Sequence, residues 1–341
     1  VNHDLLKLTA YFGERQRSGA QFTADALLGL LADSAVATSI VVRGIAGFGP
    51  KHELRTDVTL SASEDPPIAV AAVDRPEVLA PLASAVADLV SRGLVTLERA
   101  RSADPLRPAG RSVKVTAYVD RGARVTGAPA HVAVCALLRR HGFFGASALL
   151  GVDGTAHGRR VRAAFFSRNV AVPAMVIGVG PDAGAAAALD ELAGLPAVRM
   201  LTVEAVHLCK LDGALVSVPP ATATPWQKLM VHTSASALHD GMPVHRALVA
   251  QLRGVHSSAG VTALRAVWGF QGESEALGDS VFRLGRQVPV TTIVVDSPER
   301  IRAGFAVIDA LTTRHGLVTS EPVPAALWMD SGVRTGVLRT P

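Results

Sequence analysis

Apolar positions along the first hundred residues recur with two periods. Leu6 to Phe12 alternates as a strand, and Phe22 to Ala32 carries apolar residues at helical spacing. Ala37 to Val42 is a β-branched run and Pro67 to Val73 another. Val78 to Val90 has a second helical stripe (Leu79, Leu82, Val86, Leu89), and Leu94 to Leu97 closes the set. Strand, helix, strand, strand, helix, strand is the order of two split β-α-β units. It predicts a ferredoxin-like sandwich, a four-stranded antiparallel sheet with both helices on one face. The other face is left uncovered.

The same order of features occurs three times. Each copy opens on a lysine before alternating residues: Lys7-Leu8-Thr9-Ala10-Tyr11, Lys114-Val115-Thr116-Ala117-Tyr118 and Lys228-Leu229-Met230-Val231-His232. Twenty residues past each lysine lies the middle of a helical pattern, at Leu27, Val134 and Leu248. Glycines three apart follow, read as Gly44/Gly47, Gly151/Gly154 and Gly269/Gly272, and then runs led by Pro67, Pro173 and Pro289. Each copy closes on an acid, Glu98, Glu204 or Glu321. Five features in one order mean triplication. The predicted fold class is α+β, with ferredoxin-like domains over 1–100, 112–211 and 226–329. Segments 101–111 and 212–225, broken by proline and without periodicity, read as linkers, and 330–341 as an unstructured tail. Three open sheet faces in one chain can bury one another, which predicts a monomer built as a pseudo-trimer.

Composition narrows the class. The 341 residues are 49% hydrophobic and 18% charged, as in a globular chain. No apolar stretch reaches the ~18 residues of a membrane helix, and Val1-Asn2-His3-Asp4 does not open like a signal peptide. Two cysteines, Cys135 and Cys209, make no disulfide framework and read as buried thiols; a cytoplasmic location is expected. A net charge of +5, 4% aromatics and no run of like charges argue against nucleic acid as a partner.

Four stretches of the first copy carry a resemblance. Gly13-Glu14-Arg15-Gln16-Arg17-Ser18-Gly19 follows the first strand, and Val42-Arg43-Gly44-Ile45-Ala46-Gly47-Phe48-Gly49 follows the second. Ser63-Glu64-Asp65-Pro66-Pro67 and Gly93-Leu94-Val95-Thr96-Leu97 complete the set. Over residues 5–100 the chain resembles the PII-like family catalogued as domain of unknown function 190. Copies two and three keep the frame and lose the motifs: Glu14-Arg15 becomes Arg121-Gly122 and Ser236-Ala237 or nearby, and Gly49 has no clear counterpart. The resemblance implies homotrimer-like assembly of ferredoxin-like domains and small ligands, often adenine nucleotides, in clefts between domains. It also implies a loop between strands two and three that docks on a transporter or enzyme. Members are often encoded beside fluoride channels, which makes a membrane ion channel a candidate partner.

The residues themselves nominate a site. Gly44, Gly47 and Gly49 allow positive φ and close backbone approach around an anion. Arg43, with Lys51, His52 and Arg55, supplies charge and donors. Phe48 would pack on a base or anchor the loop. Glu14 and Arg15 stand on the strand-to-helix turn, beside a helix N-terminus that favours anions. The plainer alternative pairs Arg43 with Glu14 and leaves the glycines to shape a loop. Loop charge also differs between copies: Arg159, Arg160, Arg162 and Arg168 against Asp153 in copy two, and Glu273, Glu275 and Asp279 against Arg283 and Arg286 in copy three. This predicts one working cleft, involving copy one; the plainer alternative is neutral drift after duplication.

Other chemistry is poorly supplied. Gly178-Val179-Gly180-Pro181-Asp182-Ala183-Gly184 imitates a dinucleotide fingerprint but aligns with the strand-to-helix turns after Val73 and Val295. No nucleophile elbow, phosphate loop or H-E-x-x-H motif is present, and the eleven histidines are scattered. The expectation is a non-enzymatic regulatory protein with no cofactor and no metal that senses a small anionic metabolite. The alternative is a ligand-free scaffold docking on a membrane ion channel or transporter.

Overall fold

The computed structural model describes residues 4–50, 53–56, 65–102, 112–156, 158–163, 171–255, 260–272, 277–278 and 288–339. Unit one has strands Asp4–Gly13, Thr38–Phe48, Pro67–Asp74 and Arg92–Arg101. Its first helix is Thr23–Asp33. The second helical layer is Pro76–Leu79, a 3-10 turn Ala80–Leu82, and Ala83–Leu89. Unit two runs through strands Ser112–Asp120, Gly145–Leu150, Pro173–Pro181 and Val198–Leu211, with helices Ala130–Arg140 and Asp182–Ala193. Unit three has strands Trp226–Ser234, Gly260–Arg265, Pro289–Asp296 and Leu317–Val323, with helices Val244–Val255 and Pro298–Leu311. In every unit the strands lie antiparallel in the order second, third, first, fourth.

The sequence pattern explains these elements. Leu27, Leu28 and Leu31 put one buried stripe on the first helix, and its counterparts in the other units bury Val134 and Leu248 completely. Proline opens the last helix at Pro298, where its missing N–H costs nothing, and the Ser297 side chain accepts from the Arg300 N–H. A feature unread in the sequence is a two-stranded hairpin after each first strand: Arg17–Ser18 with Gln21–Phe22, Arg124–Val125 with Ala128–Pro129, and Leu238–His239 with Met242–Pro243. Its place moves Glu14 and Arg15 away from the helix N-terminus expected for them, because helix one starts only at Thr23.

Strand two of each unit ends on its neighbour. Phe48 to Gly44 pairs with Val261 to Leu264, Trp268–Gln271 pairs with residues 145–148, and Asp153–Ala156 pairs with residues 38–41. One is joined to three, three to two, and two to one. Gly47, Gly154 and Gly269 mark the crossing points. A Cβ at any of them would fall inside contact distance of the neighbouring carbonyl, of Val261, Ser39 and Ala146 respectively. The third glycine pair is therefore displaced from the one read in the sequence: Ala266 and Gly269, not Gly269 and Gly272, match Gly44 and Gly47. Ala266 makes the same backbone bond to Pro289 O that Gly151 makes to Pro173 O.

Three hydrophobic cores lie between each sheet and its own helices. A fourth gathers the opposite sheet faces, with Ile40, Tyr118, Leu149, Ile177, Leu264 and Ile293 among its members. The faces left open by the ferredoxin-like pattern cover each other. The expected tail is a correction. Ala325–Asp330 adds to the outer edge of unit one, with Trp328 opposite Leu94, and Val333–Val337 folds back on it as a hairpin. The alternation of Ala325, Leu327 and Met329 into the unit-one core supplies the reason. The segment read as the second linker also contributes a short strand, Ala214–Leu215, paired to the end of Val198–Leu211.

Candidate functional site

The predicted site residues divide between two places. Phe48 and Gly49 line a cleft where unit one meets unit three. Its walls include Tyr11, Phe12 and Trp328, its rim Arg55 and Arg92, and its far side Thr262 and Ile293 of unit three. Gly93 at its base is required: its φ is +150°, and a Cβ there would meet the Tyr11 carbonyl. Arg92 donates from Nε to Asp330 at 3.2 Å and from Nη2 to Ser331 Oγ at 3.0 Å. Arg55 pairs with Asp65 at 3.1 Å. The buried indole nitrogen of Trp328 has no hydrogen-bond partner among the described residues.

Glu14, Arg15 and Arg43 line a separate groove between units one and two. Arg43 donates from Nε to Glu14 Oε1 at 2.7 Å, so the plainer reading of this pair is the observed one. The Arg15 backbone N–H donates to Asp65 at 2.6 Å. Across the groove Arg160 binds Asp25 and Asp153, and Arg162 lies 3.4 and 3.5 Å from the same two carboxylates. Two of the unit-two loop arginines thus tie units one and two together. Arg168 and the loop charges of unit three at 273, 275, 279, 283 and 286 lie outside the described residues, as do Lys51 and His52.

The positive φ that glycine allows is not used at the three candidate positions. None of Gly44, Gly47 and Gly49 has positive φ. Gly44 and Gly47 make room for Pro67 and for the unit-three strand, so they serve the junction between units.

The third place was visible in the sequence only as a repeat. The opening lysines and closing glutamates meet where the three sheets face each other. Lys7 reaches Glu204 at 3.1 Å, Lys114 bridges Glu204 (3.0 Å) and Glu321, and Lys228 bridges Glu321 (3.1 Å) and Glu98. Lysine reaches across to the next unit's glutamate in every case: one to two, two to three, three to one. All six are buried or nearly so, and the charges sum to zero. Burial disfavours charge, yet the lysines hold the Glu98 and Glu321 carboxyls below their ordinary range. Burial and the charge of Lys114 hold the imidazole of His232 down at about 4. Carboxylate oxygens of Glu98, Glu204 and Glu321 come within 4.8 Å of one another, an acidic cluster that sequence spacing gave no hint of. Each of these carboxylates is paired with at least one lysine ammonium.

A family comparison fits this architecture. The sequence profile of DUF190, described as "Uncharacterized ACR", matches residues 5–102, 112–208 and 226–325. The chain belongs to this PII-like family. It carries the family's domain in three tandem copies. Among solved structures, the aspartate kinase from Synechocystis is matched at 11% identity and a TM-score of 0.26. That match covers 96% of this chain and 45% of the kinase, so the chain spans less than half the length of that protein. No helix among the described residues is long and apolar enough to cross a membrane.

Proposed function

We propose that this chain is a non-enzymatic PII-like regulatory protein, a monomer whose three units act as a pseudo-trimer. It senses a small anionic metabolite, an adenine nucleotide by preference, in the cleft between units one and three. The cleft carries the reading: aromatic walls for a base, Arg55 and Arg92 for a phosphate, and the unpartnered Trp328 indole N–H as a further donor. Binding would relay through the segment joining strands two and three of unit one, which starts at Gly49 on the cleft rim.

Thermal unfolding against mono-, di-, tri- and cyclic nucleotides tests it. A ligand at a hundred times its dissociation constant stabilises by about 2.7 kcal/mol, several degrees in the midpoint. The shift should vanish in Arg92→Ala and weaken in Trp328→Phe, and persist in Arg43→Ala, whose side chain faces the other groove. No shift across the panel would sink the sensor. The competing reading, a scaffold that docks on a membrane ion channel or transporter without a ligand, draws on exposed Leu215, Val216 and Val218. Partner capture unaffected by nucleotide would favour it.

A further inference from the structure

On one side of the six-charge ring lies a cavity of about 40 Å³ between the three sheets. Lys7, Lys114 and Lys228 all line it, with Thr9 and Thr116; none of the three glutamates does. Tyr11 and Tyr118 also line it, and the remaining wall is apolar, drawn from all three units, and includes Ala71, Ile177 and Leu264. The first strands set this order, because Lys7 and Thr9 are two residues apart and point to the same side of the sheet.

Several buried groups here lack partners. The Thr9 hydroxyl, on a residue 4% exposed, makes no hydrogen bond among the described residues. The same holds for Thr202 and Thr319, at strand positions directly opposite the lining residues Thr116 and Met230. Each ammonium has three N–H donors. The contacts of Lys7 with the two Glu204 oxygens, and of Lys114 and Lys228 with two glutamates each, account for two per lysine. Among the described residues, three N–H groups and the Thr9 hydroxyl are then without an acceptor beside the cavity. A buried donor without an acceptor is costly. The orphaned acceptor nearby, Glu321 Oε1, belongs to a residue outside the lining.

We propose that this axial cavity is a binding site for a small monovalent anion of about halide size, held by the spare ammonium N–H groups and the Thr9 hydroxyl. A cation would face three ammonium groups. The inference does not rest on the nucleotide cleft: Tyr11 and Ile293 line both, but none of the lysines or Thr9 lines that cleft.

Bromide is the probe. Crystals of the full chain grown in sodium bromide, with data collected at the bromine edge, should give an anomalous peak in the axial cavity. In solution, the unfolding midpoint should rise saturably with sodium bromide relative to sodium gluconate at equal ionic strength, by on the order of 2 °C. Thr9→Val keeps the lysines and removes the hydroxyl, and should weaken the apparent bromide affinity about tenfold or more. Lys7→Met should remove the effect; should that variant not fold, Thr9→Val still decides. Water density without an anomalous peak overturns the proposal. So does a peak with no saturable effect in solution, which would be an adventitious ion only, or a midpoint shift that Thr9→Val keeps in full.

Discussion

The axial ring and the outer clefts have diverged to very different degrees since triplication. At the axis each unit still contributes one lysine and one glutamate, and every lysine finds its acid on the next unit. At the rim the three units have parted: Glu14-Arg15 of unit one stands where unit two has Arg121-Gly122 and unit three Ala235-Ser236, as matching backbone bonds to residues 66, 172 and 288 establish. A rim residue answers to its own loop. An axial charge answers to two other units, and losing one leaves a buried partner unpaired.

The strongest way to break the contrast is Lys228→Met, which strips Glu98 and Glu321 of a shared counter-charge. It should cost about 3–5 kcal/mol, read by denaturant unfolding, and adding Glu98→Gln should recover part of the loss. If Lys228→Met costs no more than a surface change, the ring is not what holds the units together.

Next in size is a pH effect. His232 occupies the position of Tyr11 and Tyr118, and its folded value of about 4 lies below the ordinary 6.5. The unfolded chain binds its proton first, so its contribution is complete above pH 6.5 and is lost as pH falls towards 4, on the order of 3 kcal/mol in all. The carboxylates of Glu98 and Glu321, also depressed, begin to lose theirs only below about 4.5. His232→Tyr should flatten stability between pH 6.5 and 4.5 and leave the steeper acid limb in place. An unchanged profile would remove His232 from the account.

Smaller effects sharpen the comparison. Gly47→Ala, Gly154→Ala and Gly269→Ala should each cost about 1–3 kcal/mol, since all three meet a neighbouring carbonyl. Gly49→Ala, with open space around it, should stay within about 0.5 kcal/mol. Unequal costs among the three crossing glycines would mean that the junctions are not equivalent. Small as well is the effect of Arg43→Ala. Its pair with Glu14 is 60% exposed on the arginine side, and unfolding should move by less than about 1 kcal/mol.

What was legible in the sequence follows the same division. Strand and helix order, the helix centres at Leu27, Val134 and Leu248, and burial of Cys135 and Cys209 could be read because local periodicity encodes them. The lysine and glutamate repeats were equally visible, but their chemistry was not. Lys7 and Glu204 are 197 residues apart, and no spacing rule links them. Trp328 escaped notice because its segment is short and borrows its core from unit one. The glycines of unit one were read for positive φ and for close backbone approach to an anion; at Gly44 and Gly47 the close approach is to a neighbouring strand, and positive φ is not used.

The interleaving of units also sets a timetable for synthesis. Glu98 pairs with Lys228, 130 residues later in the chain. At about 5–20 residues per second, roughly 6–26 s separate their emergence from the ribosome. Throughout that interval Glu98 waits for Lys228, and the Phe48 to Gly44 edge of unit one waits for its partner strand in unit three. The nascent chain is therefore most exposed to misassembly, and most in need of a chaperone, after its first domain is complete.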